Sequence, residues 1–511
     1  MQWLASFESS FHLYDSTVFL IVTIIGLAGF WWSLNIADFC KNTAKTIKLA
    51  ATLPGPPVFP LIGNALKLAC YPEKILDRFL ELARNYQTPM RFWLGPQILI
   101  VLSEPRDYEV ILGCREGSYK HEIYHVAKPL FGQGLLTGSG PRHRNHRKVI
   151  LPMLNNKALT EYFAYFNKHS LFCSKLLDKK VNTGPFNIHE FMTNCSYDIV
   201  FETILGLSAN AQKEKPREII HWIKTMHELM YTRAFKVWLH PDWLYYRVSA
   251  GKKQRQSEIF IRNFIEDAVA RTKERYYAEK KKGISESTKF VFLEQLVDYV
   301  ITNNFMTNSE MCEELFTVFL AVEDTTSLCT SFAFLMLAMH PDIQIKVREE
   351  IQSVIGDKSM KIEHLANLKY LEMVIKECLR LFPIGPILLR RLAGDVELET
   401  CTLPKGCAVL LAPFVTHRSK KFWTDPEKFI PERFSTENSV ARHPFAYLPF
   451  SSGIRGCIGQ KYAMMVSKTI IVNIIRSFHL FTAVTLETLS LKMDVSVRSK
   501  DGYFVSLTRV S

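Results

Sequence analysis

The chain has 511 residues and a formal net charge of +13, long enough for one large catalytic unit or for two domains. Its eleven cysteines show no C-x-x-C spacing, which argues against a disulfide framework or a zinc ribbon and for a reducing compartment around the main domain. The positive charge suits an anionic membrane or an acidic partner. Nucleic acid is the weakest match, because no zinc finger or RNP-like motif accompanies the charge.

Residues 16–37 carry no charge, and that length spans a bilayer as a helix, with Trp31 and Trp32 at an interfacial position. A cleaved signal peptide fits poorly, since the first fifteen residues hold Glu8 and Asp15 but no lysine or arginine. Lys41, Lys45 and Lys48 follow the apolar run, so the positive-inside rule leaves the bulk of the chain in the cytoplasm. The stretch Leu53-Pro54-Gly55-Pro56-Pro57 is a stiff, helix-incompatible hinge. The predicted organisation is therefore a lumenal N-terminus (1–15), a transmembrane signal anchor (16–37), a linker with its proline hinge (38–57) and a catalytic domain (58–511).

Residues 90–103 are β-branched and aromatic around Gly95-Pro96, which predicts a hairpin. His121-Glu122-Ile123-Tyr124-His125 satisfies H-E-x-x-H, a zinc pattern that needs a stable helix and a third ligand. Pro129, Gly132 and Gly134 follow within ten residues, so that helix is not expected. Helical patterns then dominate from about residue 141 to 355, interrupted by basic runs at 142–148 and 252–255. An aromatic connection at 237–246 reads either as core or as a second membrane contact. Inside a long apolar stretch lies Ala321-Val322-Glu323-Asp324-Thr325-Thr326, where a buried acid and alcohol need partners or a task.

Glu377 and Arg380 stand three apart, on one face of a helix. Pro431-Glu432-Arg433-Phe434 follows and offers a second arginine. Then comes Phe450-Ser451-Ser452-Gly453-Ile454-Arg455-Gly456-Cys457-Ile458-Gly459. A cysteine in a glycine-rich loop, two residues after an arginine, suits a soft anionic sulfur ligand to a haem iron. The glycines let backbone N–H groups approach the sulfur, and the arginine neutralises a propionate. Beyond residue 477 short strands return, such as 489–497. No P-loop and no G-x-G-x-x-G occurs, so any electrons come from a separate protein.

The cysteine loop matches F-x-x-G-x-R-x-C-x-G at each fixed position, and the chain resembles the cytochrome P-450 superfamily. The resemblance implies a mainly α fold with a small β part behind the N-terminal transmembrane helix. It implies haem b bound through Cys457 as axial iron ligand. Glu377, Arg380 and Arg433 take the places of the family's structural triad, and Asp324 and Thr325 those of its proton-delivering acid and alcohol. Arg147, Arg390 and Arg455 take propionate positions. His143 stands where the family has tryptophan, and Val322 where it has glycine, a departure that crowds the oxygen pocket or fills the helix notch.

Gly459 to Met464 and His417-Arg418 are similar to the family-4 clan, and residues 200–206 to its insect members. Some members of that clan attach haem covalently through a glutamate three places before the aspartate. That place is Ala321 here, so such a link is not expected, and Glu323 points about 200° away from that face. The implied activity is monooxygenation of a fatty acid, hydrocarbon, terpenoid, odorant or foreign compound at the endoplasmic reticulum membrane. NADPH is used indirectly, through NADPH–cytochrome P-450 reductase, with cytochrome b5 as a further candidate donor. Two alternatives stay open: a haem-bearing ligand carrier or sensor, and a reductase-independent haem-thiolate isomerase or lyase.

Overall fold

The computed structural model describes residues 41–60, 62–68, 74–94, 97–213, 218–236, 239–282 and 291–510. The segments read as lumenal (1–15) and membrane-spanning (16–37) lie outside them. Residues 41–52 are helical and stop short of Pro54, whose ring disfavours helix in the residue before it. What the sequence suggested as a linker is thus a helix followed by an extended proline run.

The predicted hairpin is present. Strands β1 (Met90–Leu94) and β2 (Gln97–Leu102) pair antiparallel, with Leu94 opposite Gln97. With β3 (Leu388–Arg391) and β4 (Ala408–Leu411) they form a sheet ordered β1-β2-β4-β3, in which β2 and β4 run parallel. This sheet brings Arg390 from the far end of the chain beside Lys120, through an isolated bridge between the two.

Helices make up the rest of the body: α1 (Gly140–Ile150), α2 (Asn156–Leu177), α3 (Ile188–Val200), α4 (Ile219–Phe235), α5 (Ser249–Lys281), α6 (Asn308–Met339), α7 (Lys369–Leu381) and α8 (Gln460–Ile475). Helix α6, about 48 Å long at 1.5 Å per residue, is apolar nearly all round and is packed by α3, α7 and α8. A helix hydrophobic on every side must be buried, in protein or in lipid, and here the protein buries it.

Helix α6 starts at a capping box. Thr307 Oγ1 accepts from the Glu310 N–H at 3.2 Å, and a Glu310 carboxylate oxygen accepts from the Thr307 N–H at 2.8 Å. Loss of such a cap costs about 1 kcal/mol. Thr307→Ala is therefore expected to lower the thermal midpoint of the full chain by a few degrees without altering its spectrum, a result read by calorimetry.

The C-terminal part departs from expectation in one place. The sequence suggested one strand over 489–497, but β6 (Leu491–Met493) and β7 (Val497–Ser499) form a hairpin after β5 (Phe478–Phe481). Asp494 turns the chain there, its N–H donating to the Ser496 carbonyl at 3.0 Å. The hairpin tip delivers Ser496 and Arg498 to α6. Strand β8 (Phe504–Arg509) closes the tail against β5 and the short strand Phe186–Asn187.

Within the aromatic connection, burial differs from residue to residue. Tyr245 is buried under the Arg233 guanidinium, 4.2 Å from its ring centre, whereas Trp243 is 67% exposed. Residues 237 and 238 lie outside the described residues.

Candidate active site

The cysteine loop is built by backbone geometry. Gly453 has φ +65°, and a Cβ there would lie 2.0 Å from the Leu112 carbonyl oxygen, so only glycine fits. The Cys457 N–H donates to the Phe450 carbonyl at 2.8 Å, closing the loop. The Gly459 N–H, at the start of α8, donates to the Cys457 sulfur. Arg147 on α1 donates to the Gly456 carbonyl at 2.7 Å, and its charge also acts on the sulfur.

Burial pushes the Cys457 thiol up, and the Gly459 N–H and Arg147 only partly offset it. By surface area the same side chain is exposed.

Basic groups gather on this side of the protein. His143 is buried, and burial, then Arg455, Arg147, Lys120 and Arg390, push its imidazole down to about 3, so it is neutral. Arg390 is 1% exposed; one terminal nitrogen reaches only its neighbour's carbonyl, on Leu389, and its Nε has no partner. Arg455 donates to the carbonyls of Ser118 at 2.8 Å and Leu135 at 3.0 Å, and also to that of Gly138. Burial and then Arg390 lower it to about 9.

Lys120 belongs to this group, although sequence reasoning did not find it. Burial, followed by Arg390 and Arg455, pushes its ammonium well below the ordinary value. No motif marks it; only the bridge to β3 makes it a neighbour of Arg390. Basic neighbours lead the charges acting on His143, Lys120 and Arg455, while Tyr124 acts on Arg390 and Cys457 on Arg147, so the cluster holds more positive charge than it pairs and calls for anions. A donor set of one soft sulfur and a buried, acid-poor basic cluster fits haem, whose two propionates supply the missing negative charge.

The H-E-x-x-H segment does not form a metal site of the zinc type. Residues Glu122–Ala127 make a 3₁₀ helix, and His121 Nδ1 accepts from the Ile123 N–H at 3.1 Å. At three residues per turn, positions i and i+4 do not share a face.

On α6, Thr325 Oγ1 donates to the Ala321 carbonyl at 2.7 Å, and the helix continues unbroken through Val322, which packs on the core. Asp324 is not free. One carboxylate oxygen accepts from Ser496 Oγ at 3.1 Å, and the other is paired with Arg498. Burial alone would raise this carboxyl, but Arg498, with His227 and Ser496, holds it below the usual range. These three partners were not legible in the sequence, for they come from α4 and the β6–β7 hairpin.

Glu377, Arg380 and Arg433 are brought together, all buried. Arg380 donates twice to Glu377, at 2.7 and 2.8 Å, and to the carbonyls of His417, Pro426 and Lys428. Glu377 also accepts from Arg433 at 3.2 Å and from the Ile430 N–H at 2.9 Å.

A model of the cytochrome P-450 family matches residues 53–505. Among curated proteins, cytochrome P-450 4c3 of Drosophila melanogaster is 29% identical over 512 residues, covering 96% of this chain and 94% of its own. Cytochrome P-450 4V2 of Homo sapiens is 31% identical over 463 residues, 88% of each chain. Cytochrome P-450 4d1 of Drosophila melanogaster is 29% identical, over 89% of this chain and 93% of its own.

Proposed function

The chain belongs to the cytochrome P-450 family, as a haem-thiolate monooxygenase with haem b held by a cysteine–iron bond, and from that premise we propose that Cys457 is the iron ligand and that the substrate is lipophilic. When bound, the haem supplies the oxidising chemistry, and the protein supplies position, dryness and protons. The observation that carries the assignment is the loop built around the Cys457 sulfur, with the Cys457 N–H tied to the Phe450 carbonyl, Arg147 held on the Gly456 carbonyl and the Arg147 charge acting on the sulfur.

His143, Lys120, Arg147, Arg390 and Arg455 hold the propionates. Neutral His143 contributes a hydrogen bond and the others contribute charge. Glu377, Arg380 and Arg433 hold the loop region before the cysteine. Asp324 and Thr325 move protons toward the reacting oxygen. Thr325 Oγ1 donates to Ala321, which leaves its lone pairs turned outward to accept from water.

Electrons come from NADPH through a membrane reductase with an acidic face. Lys148, exposed on α1 beside Arg147, supports a basic docking surface on the cysteine side. The domain from residue 58 onward is the catalytic unit, and residues 16–37 anchor it to the endoplasmic reticulum membrane with the domain in the cytoplasm. The substrate class proposed is a fatty acid, hydrocarbon, terpenoid, odorant or foreign compound.

Reconstitution with reductase tests this reading. NADPH oxidation is expected to yield oxygenated product for at least one ligand that shifts the haem spectrum. NADPH oxidation without product for every such ligand would support a carrier or sensor instead. Asp324→Asn is expected to cut product formed per NADPH by about a hundredfold, the scale of a lost general acid, with the carbon monoxide spectrum unchanged. An Asp324→Asn enzyme as well coupled as the parent removes Asp324 from the proposed role.

A further inference from the structure

Behind Asp324 stands a second acid that the proposed function does not use. Glu323 is 3% exposed, and its Oε2 has no hydrogen-bond partner. Its carboxylate, that of Asp324 and the ring nitrogen of His227 all lie within 4.8 Å of one another. Tyr197 on α3 is a close neighbour of Glu323, and each acts on the other's titration. Lys224, exposed on α4, stands over the Tyr197 ring at 5.9 Å. These residues lead from the outer edge of α4 inward to Asp324.

We propose that Glu323 is a positioning residue for proton supply: a buried carboxylic acid that recharges Asp324 and is itself recharged from the edge of α4 through His227 and Tyr197. The inference rests on Asp324 acting in proton delivery. The resting Asp324 carboxylate takes up the Glu323 O–H proton and hands it on toward the reacting oxygen, which leaves a carboxylate on Glu323 and returns Asp324 to its ionised form. His227 then restores that proton by releasing its N–H proton to Glu323 while its other nitrogen takes one from solvent water on the α4 side, so charge and protons balance with water as the proton source.

The electrostatics agree with the geometry. Burial, and then the Asp324 carboxylate, push Glu323 well above the ordinary carboxylate range, which favours its protonated form. Arg498 and Lys224 act on it in the opposite direction. Burial lowers His227, with Asp324 and Arg498 acting oppositely, so the ring is neutral and able to accept a proton at one nitrogen and release one at the other.

The other charged or titratable groups facing this site are His189 on α3, Asp494 and Arg498 on the β6–β7 hairpin, and Tyr503. With Arg498 already paired to Asp324 and Lys224 close by, positive charge is supplied by side chains, which disfavours a metal ion among the three ligands. Placement rather than conformational freedom makes the arrangement: Glu323 and Asp324 are adjacent on α6, about 100° apart.

The test compares Glu323→Gln, Glu323→Asp and Asp324→Asn in the reductase-reconstituted holoenzyme. Glutamine keeps the shape but cannot give up a proton. The expected result is a loss of coupling of about tenfold, smaller than for a group touching the reacting atoms, with a larger solvent isotope effect and an unchanged carbon monoxide band. Aspartate recovers part of the coupling.

A second readout needs no turnover. A carboxyl whose folded value is raised favours folding below the ordinary glutamate range and loses that contribution as pH rises. As pH rises through and above the ordinary glutamate range, the parent therefore loses stability relative to Glu323→Gln. Should Glu323→Gln fail to fold, Tyr197→Phe carries the coupling and isotope measurements. Parent-like coupling and isotope effect in Glu323→Gln, beside a defective Asp324→Asn, overturn this inference alone. A fully coupled Asp324→Asn overturns the reading beneath it.

Discussion

Cys457→Ser is expected to abolish the carbon monoxide band of thiolate ligation and to reduce reductase-supported turnover by about a thousandfold or more, roughly 4 kcal/mol of activation free energy. The loop is closed around this one side chain. The Cys457 N–H is tied to Phe450, the Gly459 N–H reaches the sulfur, and Arg147 holds the Gly456 carbonyl. Serine keeps the backbone bonds and the volume, so the loop and the fold survive the change. What it lacks is a soft, polarisable anion: a serine hydroxyl stays protonated where a thiol bound to iron gives up its proton. The variant should thus retain its thermal midpoint within a few degrees while losing the spectrum. A Cys457→Ser protein with parental turnover, or with the thiolate band intact, would move the iron ligand to another residue.

The second large effect concerns folding. Arg380→Ala is expected to destabilise the protein by about 3–5 kcal/mol, the cost of stranding one member of a buried ion pair. Arg380 and Glu377 are both 0% exposed, so neither can turn to water. The guanidinium satisfies both oxygens of Glu377 and three carbonyls, on His417, Pro426 and Lys428. Its loss would leave those carbonyls and a carboxylate facing one another. Lysine does not rescue, since an ammonium has three donors from one point and cannot fork across two acceptor sets. The expected outcome is little haem-containing protein on expression and a thermal midpoint many degrees lower, for alanine and lysine alike. A lysine variant with parental stability would show that charge alone holds this region.

Local pattern made part of the site legible. Arg455 and Cys457 sit two residues apart in a glycine-rich loop, and Glu377 and Arg380 sit one helical turn apart. Such spacings are properties of neighbouring residues and survive without knowledge of the fold. The hairpin at residues 90–103 and the apolar run of α6 were readable for the same reason, since period and turn residues are written in order. The break at 494–496 was missed because alternation continues across it, and one polar turn residue did not stand out.

By itself the amino-acid order determined the family and the mainly α character, and it singled out the residues proposed to meet a haem, because each of these depends on side chains close together in the chain. Tertiary structure decided the rest. It set Lys120 beside Arg390 by pairing a loop with a strand some 270 residues away. It also surrounded Asp324 with Ser496 and Arg498 from a hairpin and His227 from a helix. Burial raises both adjacent carboxyls, but the guanidinium partner holds Asp324 below the usual range, while the Asp324 charge pushes Glu323 further above it. The physical reason is that desolvation and Coulomb interaction depend on distance through space, which sequence separation does not encode.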